Sequence, residues 1–444
     1  SNQFGSRSNE KFLPIWSVSG MANLKDIFAY YQNWLSEARI RVSYGHQGNM
    51  IDGQTPNLLI RQGTVSTVYD GEYYATVSSL PNPNLKWEKT AQTNVGFDLS
   101  LWDGRLSANG DYYYKKTTDL FTAVNVAPTN GVSSYTMNNG VMINKGGSIQ
   151  LSGYPIDKKD FRWYMSAYYS VNFNDVRTDV AENYILEDYL GGTAVVNGQP
   201  ISTFYSYKFM GLNPENGAPM FDDWEDRWHL LVGKDLEEVV TLVLEDSGTR
   251  EPKFSGNWNN TFVYKNLSLG LNFSYSLGSK VRLFEMYGPI MNGVSAATNV
   301  RKEFLDRWKV PGDEKRTVYP SIISPSDPDY SRYTSHYSAA DRAVGANSGV
   351  PKFATNVWQM YDDSNLRVVS GNYLKLQSLV LRWRMPVNLL KKTPFTQFDI
   401  SFNTHNCFTI SAKELKGQDP TQAGFADAGL SVRPSYTIGL DIAF

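Results

Sequence analysis

A period-two alternation of apolar and polar residues recurs along nearly the whole chain and restricts what it can fold into. Successive strand side chains face opposite sides, so sustained alternation calls for a sheet with one apolar and one polar face. The last ten residues are the clearest case. Tyr436, Ile438, Leu440, Ile442 and Phe444 fall on one face, and Ser435, Thr437, Gly439, Asp441 and Ala443 on the other. Leu267–Leu277 repeats the pattern, with Leu267, Leu269, Leu271, Phe273, Tyr275 and Leu277 against serines, Gly270 and Asn272. Thr93–Trp102, Arg105–Tyr114 and Phe161–Phe173 read the same way. About eleven strands are predicted, over 14–22, 35–45, 88–102, 105–114, 147–154, 161–173, 254–264, 267–278, 373–385, 397–409 and 434–444. In Tyr373–Met385 the phase slips between Leu376 and Leu379, which predicts a β-bulge near Gln377 and Ser378.

The connections separate a barrel from a sandwich. Short turns such as 103–104 and 265–266 alternate strictly with long segments, 46–87, 115–146, 174–253, 279–372 and 411–433. In an up-and-down sheet alternate connections share an end, so one end carries tight turns and the other large loops, as in outer-membrane barrels. Sandwich strands average about 5–6 residues. The patterns here run about 9–13, the length a tilted membrane strand needs. The all-β reading is a transmembrane antiparallel barrel with short periplasmic turns and long extracellular loops.

Composition agrees. Only 19% of residues are charged and 14% are aromatic, with many aromatics near strand ends, as interfacial girdles require. A net charge of −2 gives no electrostatic case for nucleic acid. A single cysteine, Cys407, rules out an intramolecular disulfide framework. No apolar run approaches the ~18 residues of a spanning helix. The opening SNQFGSRSNEKF has no apolar signal stretch. Bacterial single-chain barrels have even strand numbers, and twice eleven is the roughly 22-strand class with a plugged lumen. The expectation is that residues 1–444 are the C-terminal half of such a barrel, with plug and N-terminal strands elsewhere.

Several segments carry a resemblance. Pro81-Asn-Pro-Asn-Leu-Lys-Trp-Glu-Lys89, Thr93–Asp98, Asp103-Gly-Arg-Leu106 and Asp111–Leu120 closely resemble the SusC/RagA-type TonB-dependent transporters of Bacteroidota. Gly198-Gln-Pro-Ile201, Phe204–Pro219, Pro252–Thr261, Arg307–Asp313, Gly371–Leu376 and Asn406–Thr409 extend it over most of the chain. The resemblance implies a 22-stranded barrel in the outer membrane, a plug and a TonB-contacting segment outside this chain, and a SusD-like surface lipoprotein as lid. It implies oligosaccharide or oligopeptide cargo moved without breaking a bond. A passive porin and a secreted carbohydrate-binding protein are the rival readings.

Site candidates follow. Trp224, Trp228, Trp308, Tyr333, Tyr337, Trp358 and Tyr361 lie in the two longest loops, with Asp222 and Asp223 in an acidic stretch. They suit lid contacts, substrate contacts or loop packing. The acidic stretch lacks a calcium-loop pattern and reads as solvated. The four histidines have no paired metal spacing, so no metal, cofactor or catalytic cluster is predicted. Tyr436 and Phe444, in phase on the last strand, read as an outer-membrane insertion signal.

Overall fold

Eleven strands join in chain order into one antiparallel sheet in the computed structural model. It describes residues 14–28, 33–50, 57–63, 71, 73–125, 129, 131, 134–177, 184–222, 224, 226–234, 236–288, 300–335, 356–422 and 433–444. The strands are β1 (Trp16–Asn23), β2 (Leu35–Asn49), β3 (Glu88–Leu101), β4 (Leu106–Thr118), β5 (Val141–Asp157) and β6 (Phe161–Arg177). They continue as β7 (Phe254–Tyr264), β8 (Leu267–Leu277), β9 (Tyr373–Arg384), β10 (Gln397–Ser411) and β11 (Ser435–Ala443).

The register converts the alternation of each strand into a property of the sheet. Residues paired across a ladder share a face. One rung runs Ala22, Ile40, Phe97, Gly110, Ile149, Tyr169. It continues through Gly256, Tyr275, Leu374 and Ile410. A slip of one residue would turn apolar side chains onto the polar face. Aromatic residues cap the apolar face at both ends. Trp163 stacks on Phe262 at 5.6 Å, and Phe395 meets Phe444 edge-on at 5.2 Å, both at the short-turn end. Tyr169 stacks on Phe254 at 5.9 Å and Phe402 on Tyr436 at 6.4 Å at the long-loop end.

All eleven predicted strands are present, and the bulge sits at Gln377. Leu376 pairs with Phe273 and Ser378 with Asn272, leaving Gln377 between them to donate to Ser274 Oγ at 2.9 Å. The predicted ends are too short on one side: β2, β4, β5, β6 and β10 all run further toward the long loops than their alternation does. Beyond the apolar band β2 and β4 turn polar on both faces and β5 opens on the unbroken apolar run Val141-Met142-Ile143, so the pattern fades while the ladder persists. There Thr90 meets Thr117 at 2.8 Å and Asn174 donates to Asn144 at 2.7 Å. A buried amide interrupts the apolar face. Asn260 pairs with Met165 and Leu271, is 3% exposed, and accepts from Trp163 Nε1 at 3.1 Å. The tryptophan covers the amide, which explains the weak alternation of β7.

Two connections at the short-turn end hold short helices, Leu24–Phe28 and Val387–Leu390. The long loops carry small two-stranded sheets of their own, among them Phe121–Asn125 with Ser134–Asn138 and Thr203–Ser206 with Glu245–Thr249.

Facing is testable at one depth. Leu440 pairs with Ile400 on the apolar face and is 58% exposed, whereas Thr437 points to the polar face. In a bilayer Leu440→Arg is expected to cost about 2–4 kcal/mol, and Thr437→Arg close to nothing. Heat-modifiable gel migration of the refolded protein reads the difference; equal losses would contradict the facing.

Candidate functional site

The polar face carries a charge network centred on Arg41. Its Nε donates to Asp98 at 2.8 Å and its Nη2 reaches Asp111 at 3.1 Å on the far side of β3. Asn109 donates to the same Asp98 at 2.8 Å. Between Arg41 and Asp111 the register places Gly96. A Cβ there would strike both the guanidinium and the Asp111 carboxylate, so glycine is what lets the arginine cross a whole strand. Further along, Tyr113 reaches across β5 at Gly146 to donate to Asn172 at 2.7 Å. Arg384 and Gln397 hold Asp399 at 3.1 and 3.0 Å. Amides, hydroxyls and compensated charges make a wet, hydrogen-bonding wall. Among the described residues no cluster of metal-ligating side chains forms.

At the long-loop end, residues from 184–244 and 286–361 share one hydrophobic core built on Leu186, Tyr189, Tyr205, Val239, Val240, Met286, Tyr287 and Tyr361. This core is a folded roof, and it takes in most of the aromatic site candidates. Trp224, Tyr333, Trp358 and Tyr361 are buried in it. Trp358 Nε1 donates to Ser321 O at 2.8 Å, and Tyr333 Oη accepts from Asn216 at 3.0 Å. Tyr361 sits edge-on to Tyr287 at 5.4 Å and Phe209 at 5.7 Å. Trp308 is buried outside that core with its ring over Gly217, whose φ of 72° and close approach both exclude a side chain. Trp228 stands apart, 41% exposed on a short turn. Asp222 is bound by Arg227, whose guanidinium also covers Trp224 at 4.3 Å and reaches Asp226 at 3.2 Å. Asp223 and Tyr337 lie outside the described residues. Tyr436 and Phe444 lie exposed on the apolar face at opposite ends of β11.

Sequence reasoning missed the ionic centre of the roof. The Asp362 carboxylate accepts the backbone amides of Met286 at 2.9 Å, Tyr287 at 2.8 Å and Gly288 at 3.0 Å, with Arg367 at 3.9 Å. Burial pushes this carboxyl above its ordinary value, and Arg367 and the three amides pull against that. Arg282 donates through Nη2 to Leu190 O, Tyr205 O and Ser206 Oγ at 2.9–3.1 Å and faces Asp363 at 4.0 Å. Burial pushes Asp363 up to about 6, with Arg282 opposing. No spacing rule finds such a centre, because its members come from two loop segments about 80 residues apart.

The quoted sequence blocks turn out to be fasteners. In Pro81–Lys89, Asn82 donates to Thr136 O and the Lys86 amide to Asn138 Oδ1 at 2.6 Å, tying one long loop to the next hairpin. In Arg307–Asp313, Asp313 Oδ2 accepts the amides of Lys309 and Val310 at 3.0 and 3.1 Å, which hold its carboxyl below the usual range. In Phe204–Pro219, Asn213 and Asn216 close the hairpin tip by accepting the Glu215 and Ala218 amides at 2.9 and 3.1 Å.

Residues 3–284 match the family described as "TonB dependent receptor-like, beta-barrel". The chain belongs to that family. It is 25% identical over 99% of its length to TonB-dependent receptor P3 of Formosa agariphila, covering 41% of that protein. It is 29% identical over 48% of its length to TonB-dependent receptor SusC of Bacteroides thetaiotaomicron, covering 22% of that protein. A solved structure of the RagAB peptide importer superposes on all of the chain with a TM-score of 0.74, at 22% identity, over 44% of that structure's chain. The chain therefore spans less than half the length of these relatives. Proteins of this family are outer-membrane β-barrels, so the apolar face is the lipid face, the polar face the lumen wall, and the roof lies at the extracellular end.

Two outcomes follow for the roof. Asp362→Asn leaves Arg367 without its charge partner and removes an acceptor from the amides, at an expected cost of about 3–5 kcal/mol. Hydrogen exchange at residues 284–288 should rise sharply while heat-modifiable migration stays unchanged. Asp363 binds its proton more tightly folded than unfolded. Its contribution to roof stability is therefore present in full below about pH 4 and lost as pH rises through about 6. Exchange at Tyr207, whose amide bonds Asp363 O at 3.2 Å, should show that loss in the native chain and not in Asp363→Asn.

Proposed function

We propose that the chain forms the C-terminal half of the barrel of an active outer-membrane importer. The observation that carries this is an in-order sheet of eleven strands with one apolar and one polar face, whose long loops at one end share a folded core. In a bilayer every backbone donor and acceptor needs a partner. The outer edges of β1 and β11 therefore need strands from the N-terminal half of the same barrel. That half would also bring the plug and the segment that TonB engages. The lumen wall binds and passes cargo; no bond in the cargo is made or broken.

Cargo is an oligomer, and the likeness to a peptide importer favours oligopeptide over oligosaccharide. A SusD-like lipoprotein would seat on the roof as a lid. Among the candidates, Trp228 has a free face for lid or cargo, beside Leu230 and Val232, 52% and 57% exposed. The buried aromatics shape the roof that presents it. On β11, Tyr436 and Phe444 serve as the insertion signal for the assembly machinery.

The test uses the complete transporter in cells. Uptake of a labelled oligopeptide mixture should vanish when TonB is deleted; unchanged uptake would point to a passive pore. Trp228→Ala should weaken lid or cargo binding about tenfold, the scale of an interface tryptophan, with roof and barrel intact. No change in either binding would remove Trp228 from the site.

A further inference from the structure

The lipid face holds an open apolar groove of about 510 Å³ between β2 and β6. Val95, Tyr112, Ile149 and Tyr169 wall it, and its floor is the bare backbone at Gly147 and the Phe97 ring, which lies over Gly110. The register fixes what lies above it toward the extracellular rim. Lys145 is the next residue on the same face of β5 after Gly147, and it pairs with Tyr114. Lys116, one rung higher, pairs with Ile143. Both lysines are exposed, and no carboxylate among the described residues pairs with either. Asp175 shares the Lys116 rung through Ile143 and is taken by Arg177 at 3.2 Å. Two cations without an ion-pair partner among the described residues thus stand beside an acyl-sized dent.

We infer that this groove is the seat of an outer-leaflet lipid with a phosphorylated headgroup. One acyl chain lies along Gly147 and the Phe97 ring, and the phosphate sits between Lys116 and Lys145. The orientation rests on the outer-membrane reading; the seat itself rests on the groove and the charge pattern. Ordinary annular lipid needs only a greasy surface. A concavity beneath paired lysines adds chain packing to charge attraction at one place on the barrel.

Native mass spectrometry of the complete transporter tests this, with bisphosphorylated lipid A as probe and the same lipid stripped of phosphate as control. The phosphorylated lipid should be retained by the native protein and bound about thirtyfold more weakly by Lys116→Gln/Lys145→Gln, the effect of two lysines at an anionic surface. Val95→Trp should fill the groove and abolish retention with both lysines in place. Equal binding of the two lipids, or undiminished binding by either variant, would overturn the seat. Heat-modifiable migration run in parallel keeps the two readings apart: its loss in the native protein would fault the barrel, and its persistence with no lipid retained would fault the seat alone.

Discussion

The antiparallel ladder is the interaction on which the rest depends. Hydrocarbon offers no hydrogen-bond partner, so each strand inside the bilayer must satisfy its backbone on its neighbours. Chain-order pairing does this with the least loop closure, because each strand lies beside the one just made. The ladder also sets everything that side chains can do. Arg41 can bridge Asp98 and Asp111 only because the register places Gly96 between them. Trp163 can cover Asn260 only because β6 and β7 pair with Trp163 opposite Phe262 and Met165 opposite Asn260.

The roof obeys a different rule. Water surrounds it, so its stability comes from burying aromatic and aliphatic side chains rather than from a ladder. Its buried ionic centre is costly to desolvate and gives little net stability. What it supplies is geometry. Asp362 draws three successive amides of one loop toward the helix Val357–Asp362, and Asn365 joins Tyr207 and Phe209 to Glu245. Apolar packing alone would tolerate several arrangements of such long segments; directional bonds to backbone select one.

The barrel was legible in the sequence because lipid imposes a periodic demand. Wherever one face meets hydrocarbon, the alternation is written out, as in β8 and β11, and even the bulge at Gln377 leaves a phase slip. Legibility stops where that demand stops. The extracellular ends of β4, β5 and β6 keep their hydrogen bonds but lose the pattern, so their lengths were underestimated. Roof residues carry no period at all. Trp224, Tyr333, Trp358 and Tyr361 look the same in sequence whether they face a partner or a core, and the structure puts them in the core. Asp362 and Arg367 read as ordinary loop charges, because burial is set by segments far away in the chain.

That division bears on how a partner could be recognised. Loops of this length without a core would have to be ordered upon binding, at about 1–2 kcal/mol of backbone entropy per residue fixed. Here much of that ordering is done beforehand. Strands 203–206 and 245–249 are paired, 209–212 and 219–221 form a hairpin, and the segment after the helix Val357–Asp362 is bridged to Tyr207. A link to the barrel runs through the loop after β10, where Gln418 accepts the Phe284 amide at 3.0 Å and the neighbouring Asp419 meets Lys375 on β9 at 3.9 Å with both side chains buried. A preformed roof of this kind presents a partner with a surface that needs little further ordering, which lowers the entropic cost of binding.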